Sequence, residues 1–415
     1  KGKEYEHSAH PGFLAEKALV EQAGGRVIFS SGDVVFSSTN ILDNLAERLS
    51  EDGLEDASRL AACCRRWEID ASKLRQMVSR DFAGKRVAVV GDSVLDRYVF
   101  CEAADVAGEA PILSVKPRHQ RAYLGGAAIV AAHLRALGAQ PHLITTVADD
   151  DASRELLDSL DEMGIEHTEW PIHRTLPHKQ RFMVDRQKLL KVDHADTQPI
   201  DTKTERAMLA TLSELRTQLD ASIFVDFGYG SLTIPLLAQA MPMLRPHVNT
   251  IAGDVSGARR TLLAMNDADL LTPTERELRS VVGDFDESLP TIAIRVMRQL
   301  SVPAMAVTMA ERGCVLFHPR NTTEGHWFDS RLRSEYLPTL ADRIDDPVGA
   351  GDAMLATMTL ALSTGATLPQ AGYVGSLAAA CALATVGNLP VGCDAILRRA
   401  AGRAELHPQH RVRSA

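Results

Sequence analysis

The residues of this chain best suited to chemistry lie in one glycine-rich stretch, 346–352, which reads D-P-V-G-A-G-D and runs into an apolar segment. That segment predicts a helix, whose first N–H groups have no intrahelical partners and lie at the positive end of the helix dipole. The backbone of Gly349, Ala350 and Gly351 is therefore expected to form an anion site. An aspartate would repel an anion, so we interpret Asp352 as a base that deprotonates a hydroxyl attacking a phosphoryl group. A glycine-rich turn capped by an aspartate is the alternative.

Strands that alternate with helices are predicted upstream of this stretch. Residues 86–90 are a continuous apolar run typical of a buried parallel strand, and they lead to Asp92 and Asp96. Later strands are predicted at 222–226, 250–254, 269–272 and 304–308. This alternation predicts an α/β domain with a mostly parallel central sheet and helices on both faces. Carboxylates that follow such strands lie where α/β sheets place ligands.

The composition is that of a globular protein. The 415 residues are 45% hydrophobic and 24% charged, and a chain of this length favours a two-part organisation. The net charge of −9 gives no electrostatic reason to expect nucleic acid as a partner. The sequence has neither a run of the roughly 18 apolar residues that a membrane span needs nor a recognisable signal peptide, so we expect a cytoplasmic protein. The six cysteines lack CxxC spacing, which favours reduced thiols, and we assign no zinc to the scattered histidines.

The front of the chain, 1–50, does not begin like a complete domain. It carries K-G-x-x-Y, G-G-x-V and S-S-T, the last of which includes Ser38 and Thr39 at the start of an amphipathic helix. An ordinary helix N-cap explains Ser38 or Thr39 equally well. Together the three motifs resemble the closing part of a cytidylyltransferase-like nucleotidyltransferase domain, without the H-x-G-H motif that does its chemistry. We therefore expect 1–50 to be the C-terminal remnant of such a domain, unable to transfer nucleotides alone.

A charged segment, 51–84, separates this front piece from the first strand. Its apolar residues recur with helical spacing, so we interpret it as a helical connector. Cys63 and Cys64 fall within it. A redox pair is disfavoured because adjacent cysteines on a helix point in different directions.

The stretch 346–352 resembles the signature D-[TP]-x-G-A-G-D of the ribokinase-like (PfkB) family of sugar and nucleoside kinases. In that family the last aspartate is the catalytic base and the G-A-G backbone forms the anion hole. The resemblance therefore implies these roles for Asp352 and for Gly349, Ala350 and Gly351. It also implies ATP and Mg²⁺, and it places Asp346 near the monovalent-cation (K⁺) site of some members.

Further motifs extend the resemblance over most of the later chain. They are G-D-x-x-L-D-R-Y at 91–98, E-A-P at 109–111, G-G-A-A at 125–128, and a stretch from Arg181 that ends in L-L-K-V-D at 193. From about residue 85 to 392 the chain looks like the kinase half of the bifunctional heptose-phosphate kinases and nucleotidyltransferases of bacterial surface-sugar synthesis. The motifs of the front piece point to the same two activities, in reverse order.

This resemblance implies a substrate site. In the family, residues equivalent to Asp96 and to Gly125 and Gly126 hold sugar hydroxyls, and a carboxylate is a suitable acceptor for vicinal hydroxyls. Packing of a helix on a strand would ask for the same two glycines. Lys179 and Arg181 are expected to meet a sugar phosphate, with the arginine offering a bidentate fork. As isolated charges in a strand, both are otherwise explained as solvated surface residues.

A nucleotide site is implied by two further matches. The stretch 274–277 matches N-x-x-E, which lies near the ATP phosphates and metal in the family, so Thr274 and Glu277 are candidate cofactor-binding residues. Glu277 is also a candidate magnesium ligand, and Asp346 is a second candidate metal ligand. The stretch 308–313 matches the turn beside the nucleotide in the family, which implies that Thr308 and Gly313 are also cofactor-binding residues.

Three matched positions depart from the family pattern. Ile129 stands where an asparagine is expected after G-G-A-A, Tyr229 replaces the lysine of D-Y-G-K-G, and Thr274 replaces the asparagine of N-x-x-E. An apolar residue at 129 would remove a donor and an acceptor from the expected sugar site, and Tyr229 removes a charge near the phosphates. The pattern suggests a kinase with a changed sugar, or a degenerate kinase that binds without turnover.

We therefore predict a ribokinase-like three-layer α/β sandwich over 85–402, with a small β lid from 100–123 and 179–192. The predicted activity is ATP-dependent phosphorylation of a hydroxyl on a sugar or sugar phosphate, with a heptose phosphate as a candidate. Because family members often pair through their lids, a homodimer is expected, with neither nucleic acid nor membrane as a partner. The alternatives are a non-catalytic sugar- or nucleotide-binding pseudokinase, and a nucleotidyltransferase partner whose active half lies outside this chain.

Overall fold

The computed structural model describes residues 56–407, except 103–104, 107–109, 111, 186, 196 and 321–331. The chain divides into two compact units, 1–60 and 61–415. The predicted nucleotidyltransferase remnant, 1–50, lies outside the described residues, so its assignment stays a prediction. The predicted connector is described from residue 56 and is helical at 56–66 and at α1 (Ala71–Gln76). Its residues from 61 onward belong to the same compact unit as the α/β domain.

The α/β domain is built on a twisted central sheet that is mostly parallel. The strand order is β14-β13-β12-β11-β10-β9-β1-β5-β6. The strands from β12 to β6 in this order pair in parallel, whereas β13 and β14 are antiparallel at one edge. The strands of the central sheet are β1 (Arg86–Cys101), β5 (Gln140–Ala148), β6 (Glu166–His173), β9 (Ala221–Asp226), β10 (Thr250–Val255), β11 (Leu270–Leu271), β12 (Met305–Thr308), β13 (Cys314–Pro319) and β14 (Leu332–Leu337).

Helices cover both faces of this sheet, because its central strands are apolar on both sides. One face packs a single apolar core against four of the helices. These helices are α4 (Thr202–Leu215), α5 (Ile234–Leu244), α6 (Glu275–Val282) and α7 (Leu289–Leu300). The remaining helices are α2 (Ala127–Ala136), α3 (Asp151–Glu162), α8 (Ala350–Ser363), α9 (Leu368–Leu383) and α10 (Cys393–Ala401). Of these, α8 lies between α2 and α9, contacting both. The predicted three-layer α/β sandwich is confirmed.

A second, smaller sheet forms the predicted lid. Its strands are β4 (Pro117–Gly126), the second half of β1, β7 (His178–Val184) and β8 (Gln187–His194), and we call it the lid sheet. A two-stranded ribbon, β2 (Asp105–Val106) with β3 (Leu113–Ser114), lies between β1 and β4 in the chain. The first strand is longer than the apolar run 86–90 suggested. Residues 86–92 pair with β5 in the central sheet, and residues 93–101 continue into the lid sheet. Asp96 therefore lies inside this strand, where one sheet passes into the other.

Candidate active site

The predicted anion loop leads directly into helix α8. Gly349 is the N-cap residue at φ +82°, a left-handed conformation that favours glycine. A Cβ at this position would also overlap the side-chain amide of Asn388, which is buried and donates to the carbonyl of Leu124 at 2.9 Å. Gly351 is exposed, with open space where a side chain would be. The N–H groups of the first turn are thus accessible to an anion.

Asp352 lies in the first turn of α8, one residue beyond this loop. Burial and, after it, the nearby carboxylate of Asp96 raise the pKa of Asp352 to about 7, although the ammonium of Lys179 acts to lower it. The structure therefore brings together three residues that are far apart in the sequence. A carboxyl group whose pKa lies near neutrality is suited to accept a proton during catalysis.

Asp96 forms an ion pair with Arg181 across the lid sheet, and both side chains are buried. A Cβ on Gly125 would lie 3.1 Å from Oδ2 of Asp96, so the glycine leaves space beside this carboxylate. The guanidinium of Arg181 also lies 5.5 Å from the ring centre of Tyr98. Arg181 is therefore not a solvated surface residue. It compensates the charge of the candidate sugar-binding carboxylate.

Lys179 lies two residues before Arg181, and its ammonium is 5.1 Å from the ring centre of Phe227. Burial lowers the pKa of Lys179, although the charge of Asp96 acts to raise it. The aromatic ring belongs to the turn after β9. Lys179 thus lies close to this turn, and its charge also acts on Asp352.

The turn after β9 is organised by Asp92, which the motif analysis left without a role. Its carboxylate accepts hydrogen bonds from the backbone N–H groups of Phe227, Tyr229 and Ser231 at 2.8–3.0 Å. Asp226, at the start of the turn, accepts from Gly228 at 2.7 Å. Asp92 is only 1% exposed, so it acts as a structural support that fixes the turn beside the site.

The candidate nucleotide side is built on a capping box at the start of α6. Thr274 Oγ1 accepts from the N–H of Glu277 at 3.1 Å, and Glu277 Oε2 accepts from the N–H of Thr274 at 2.9 Å. Oε1 of Glu277 accepts from the N–H of Gly257 at 2.8 Å. Thr308 lies beside Thr274, because its N–H donates to the carbonyl of Pro273 at 3.0 Å. A threonine in place of the family asparagine therefore keeps the cap.

Gly313 follows Thr308 by one short turn and begins the antiparallel edge of the sheet. Its φ of +84° and the nearby carbonyl of Leu337 both exclude a side chain. Its carbonyl accepts from the N–H of Met309 at 2.8 Å. Thr308 and Gly313 thus lie at the two ends of one tight turn, and Thr308 forms a parallel bridge with Thr274.

Asp254 is a candidate site residue that the motifs did not identify. It lies near the end of β10 and accepts from Thr272 Oγ1 at 3.0 Å. Burial raises its pKa well above the usual value, and the charges of Glu277 and then Asp352 raise it further. Asp254 is therefore close enough to both Glu277 and Asp352 for their charges to act on it. The sequence signal that could have identified Asp254 is its position, because it is the acidic residue that ends the predicted strand 250–254.

Arg259, in the loop after β10, is a second candidate site residue that the motifs did not identify. Its guanidinium packs so closely on Gly228 that a Cβ there would overlap it, and its Nε donates to the carbonyl of Ser256 at 3.3 Å. None of the ion pairs among the described residues includes Arg259. Its charge lies beside Tyr229, where the family pattern has a lysine. No motif identifies Arg259, because it lies 30 residues after Tyr229 in the sequence.

Asp346 is 1% exposed and both of its carboxylate oxygens accept protein hydrogen bonds. Oδ1 contacts Lys188, and Oδ2 accepts from the hydroxyl of Tyr98 at 2.6 Å. Burial alone would raise the pKa of Asp346, but hydrogen bonds from Lys188, Tyr98, Val348 and Gly387 lower it. The carboxylate is therefore charged and already paired, which argues against the predicted monovalent cation at this residue.

Ile129 does not border the candidate site. It lies in the first turn of α2 and is 0% exposed. It is therefore a core residue, which does not support the expectation that it lines the sugar pocket. The sequence pattern could not distinguish a residue that lines the sugar site from one that packs in the core, because a helix that starts beside a site directs some of its side chains towards the core.

The geometry is the one expected of an α/β phosphotransferase, with a candidate base, a candidate anion hole and a lid sheet that carries a buried carboxylate. Comparison with family models gives the class a name, since residues 85–390 match the pfkB family of carbohydrate kinases. The chain belongs to this family, as the motif 346–352 indicated.

Two kinds of relative agree with this membership. The bifunctional protein HldE of Paramagnetospirillum magneticum is 29% identical over 310 residues, which are 74% of this chain and 61% of that protein. The chain thus spans about three fifths of the length of this relative. The tetrameric inhibited form of phosphofructokinase-2 from Escherichia coli has the same fold, with a TM-score of 0.63 at 15% identity over 77% of this chain and 98% of that one. Arabidopsis thaliana ribokinase complexed with ribose and ATP has a TM-score of 0.56 at 17% identity, and the match covers 77% of this chain and 99% of that one.

None of the helices in the described part of the chain has the length and hydropathy that a transmembrane span requires. Within the same residues, no three His, Cys, Asp or Glu side chains converge into a metal centre of their own. A kinase needs no such centre, because Mg²⁺ is normally held by one or two carboxylates together with the substrate phosphates.

Proposed function

We propose that this protein transfers the γ-phosphoryl group of ATP to a hydroxyl of a sugar or sugar phosphate. One observation carries the proposal: Asp352, with a pKa near 7, lies at the mouth of the anion loop and close to Asp96 and Lys179. Asp352 would remove the proton of the attacking hydroxyl. The N–H groups of Gly349, Ala350 and Gly351 would stabilise the charge of the transferring phosphoryl group.

The substrate side has two parts. Asp96, held by Arg181, would accept from sugar hydroxyls, and Lys179 would contact a phosphate carried by the sugar. A heptose phosphate is the first candidate, because the motifs of this domain resemble those of heptose-phosphate kinases. The lid sheet would exclude water, which otherwise competes as the acceptor.

The experiment that tests this proposal measures ADP release with Mg²⁺ and ATP over a panel of sugars and sugar phosphates, including heptose phosphates. Release that depends on one sugar class is the expected result. If the protein binds ATP but releases no ADP with any sugar, the result would instead support the pseudokinase alternative. If no sugar causes ADP release but pyrophosphate is formed, the result would support nucleotidyl transfer.

We further propose that Asp254 and Glu277 hold Mg²⁺. Their oxygens are the hard ligands this ion prefers. Burial and then the charges of Glu277 and Asp352 raise the pKa of Asp254, and a cation would compensate these charges. Mg²⁺ bound there would supply positive charge to the ATP phosphates. The hydrogen bonds from Thr274 and Gly257 would orient the carboxylate of Glu277.

Asp254→Asn is accordingly expected to raise the Mg²⁺ concentration for half-maximal rate by about 10-fold or more, because one anionic ligand is lost. The measurement is a Mg²⁺ titration of ADP release at saturating ATP and sugar. Asp284→Asn, a partly exposed carboxylate paired with Arg295, is the matched control and should leave the titration unchanged. An unaltered Mg²⁺ requirement in Asp254→Asn would contradict the assignment.

Arg259 is proposed to supply the phosphate-directed charge that Tyr229 no longer provides. Arg259→Gln should lower kcat/KM by about 10- to 100-fold, the loss expected for a hydrogen bond to a charged group. Tyr229→Lys added to that variant should restore part of the rate, since it returns a cation to the same turn. Arg260→Gln removes the neighbouring exposed charge and should have little effect. Equal losses in both arginine variants, or no rescue by Tyr229→Lys, would reject this role.

A homodimer stays a prediction, and the lid region supports it. Large apolar side chains on or beside the lid sheet are exposed: Ile112 (57%), Leu113 (60%) and Leu190 (57%). A second copy of the chain would cover them, as lid-paired members of the family do.

A further inference from the structure

Lys188 reaches from the lid sheet to the loop that forms the anion hole. It lies near the start of β8, and its ammonium nitrogen is 2.5 Å from Oδ1 of Asp346, 158 residues later in the chain. The hydroxyl of Tyr98, from the lid half of β1, contacts the other oxygen of the same carboxylate. Two lid strands therefore converge on one buried carboxylate.

The same carboxylate also holds the backbone that leads into the anion hole. Oδ1 of Asp346 accepts from the N–H of Val348 at 3.1 Å, one residue before Gly349. Oδ2 accepts from the N–H of Gly387 at 3.1 Å, and Gly387 precedes Asn388, whose amide packs on Gly349. Asp346 thus links the lid sheet, the loop before α8 and the turn behind Gly349.

Charge balance gives Lys188 a definite task. Asp346 is fully buried, and an unpaired buried carboxylate is strongly unfavourable. Within the described residues, Lys188 is the cation that forms an ion pair with Asp346. The lysine side chain is 32% exposed, so solvent reaches it even though Asp346 is covered.

We propose that Lys188 is a positioning residue whose ammonium serves as a built-in monovalent cation, fixing Asp346 and thereby the anion hole beneath the lid. This inference rests on the proposed kinase function. It adds that the protein needs no free monovalent cation for full activity. It also adds that the lid sheet and the anion hole are held in one arrangement by this ion pair.

The test uses Lys188→Met, which keeps the length of the side chain and removes its charge. ADP release is measured in tetramethylammonium chloride, whose cation is too large to enter, and again with K⁺ or NH₄⁺. The wild-type rate should be the same in all three salts. Lys188→Met should lose about 10²-fold in kcat in tetramethylammonium, because a displaced anion hole no longer fits the transition state. K⁺ or NH₄⁺ should restore a large part of that loss by entering the space left by the ammonium.

Lys191→Met is the matched control, since Lys191 lies on the same strand and pairs with exposed Asp193. It should behave as wild type in every salt. A second readout, the melting temperature without substrate, separates this inference from the kinase proposal. K⁺ or NH₄⁺ should raise the melting temperature of Lys188→Met relative to tetramethylammonium and leave wild type and Lys191→Met unchanged.

Lys188→Met with a wild-type kcat in tetramethylammonium would overturn the inference. So would a salt response that Lys191→Met shares. If the variant unfolds on transfer from potassium buffer into tetramethylammonium, refolding on return of NH₄⁺ or K⁺ is the expected result, and failure to refold in either salt would also overturn it. If wild type phosphorylates no sugar, the kinase proposal fails, while the melting temperatures still decide the role of Lys188.

Discussion

Asp352→Asn is expected to keep ATP affinity and to lose about 10²- to 10⁴-fold or more in kcat. The amide has nearly the same shape as the carboxyl group, so the helix start and the anion hole are retained. It cannot accept the proton of the attacking hydroxyl. Binding of an ATP analogue by calorimetry and sugar-dependent ADP release measure the two effects separately.

The pH dependence provides an independent signature of the same residue. Because the pKa of Asp352 is raised to about 7 and the base works deprotonated, wild-type kcat/KM should fall about tenfold per pH unit below pH 7 and level off above it. Asp352→Asn should lose this dependence. Asp342→Asn, an exposed carboxylate paired with Arg399, is the control and should keep both rate and profile. Near-normal sugar-dependent ADP release from Asp352→Asn would show that another group is the base.

Asp96→Ala should abolish sugar-stimulated turnover while leaving ATP affinity nearly unchanged. It should also lower the free energy of unfolding by about 3–5 kcal/mol, because Arg181 becomes a buried charge without its partner. Urea unfolding and initial rates with the preferred sugar measure the two losses.

A double variant separates these two roles of Asp96. Asp96→Ala combined with Arg181→Met removes both charges, so much of the lost stability should return. Turnover should stay absent, because the acceptor for the sugar hydroxyls is still missing. If the double variant regains turnover, Asp96 serves only to balance Arg181, and the sugar must be held by other groups.

Much of the fold could be predicted from the sequence, because its signals are local. The apolar runs 86–90 and 222–226 and the helices between such runs suffice to predict a mostly parallel α/β sheet. The anion loop is local too: base, glycines and helix start fall within seven consecutive residues. Local signals were weaker at the lid, where β1 continues past Asp92 into a second sheet. An apolar run marks burial, and it does not mark where a strand ends.

The sequence alone was enough to predict the family and the candidate chemistry, whereas the tertiary structure decided which charges meet. The motif 346–352 sufficed to predict a base and an anion hole, since backbone N–H groups at a helix start lack intrahelical partners whatever surrounds them. The partners of Asp96 and Asp346 are Arg181 and Lys188, 85 and 158 residues away, and only folding brings them within contact. The same holds for Asp254 and Arg259, whose roles depend on the turns they face. Pairing across strands depends on register and on the crossing of two sheets, and neither is written in the spacing of any one motif.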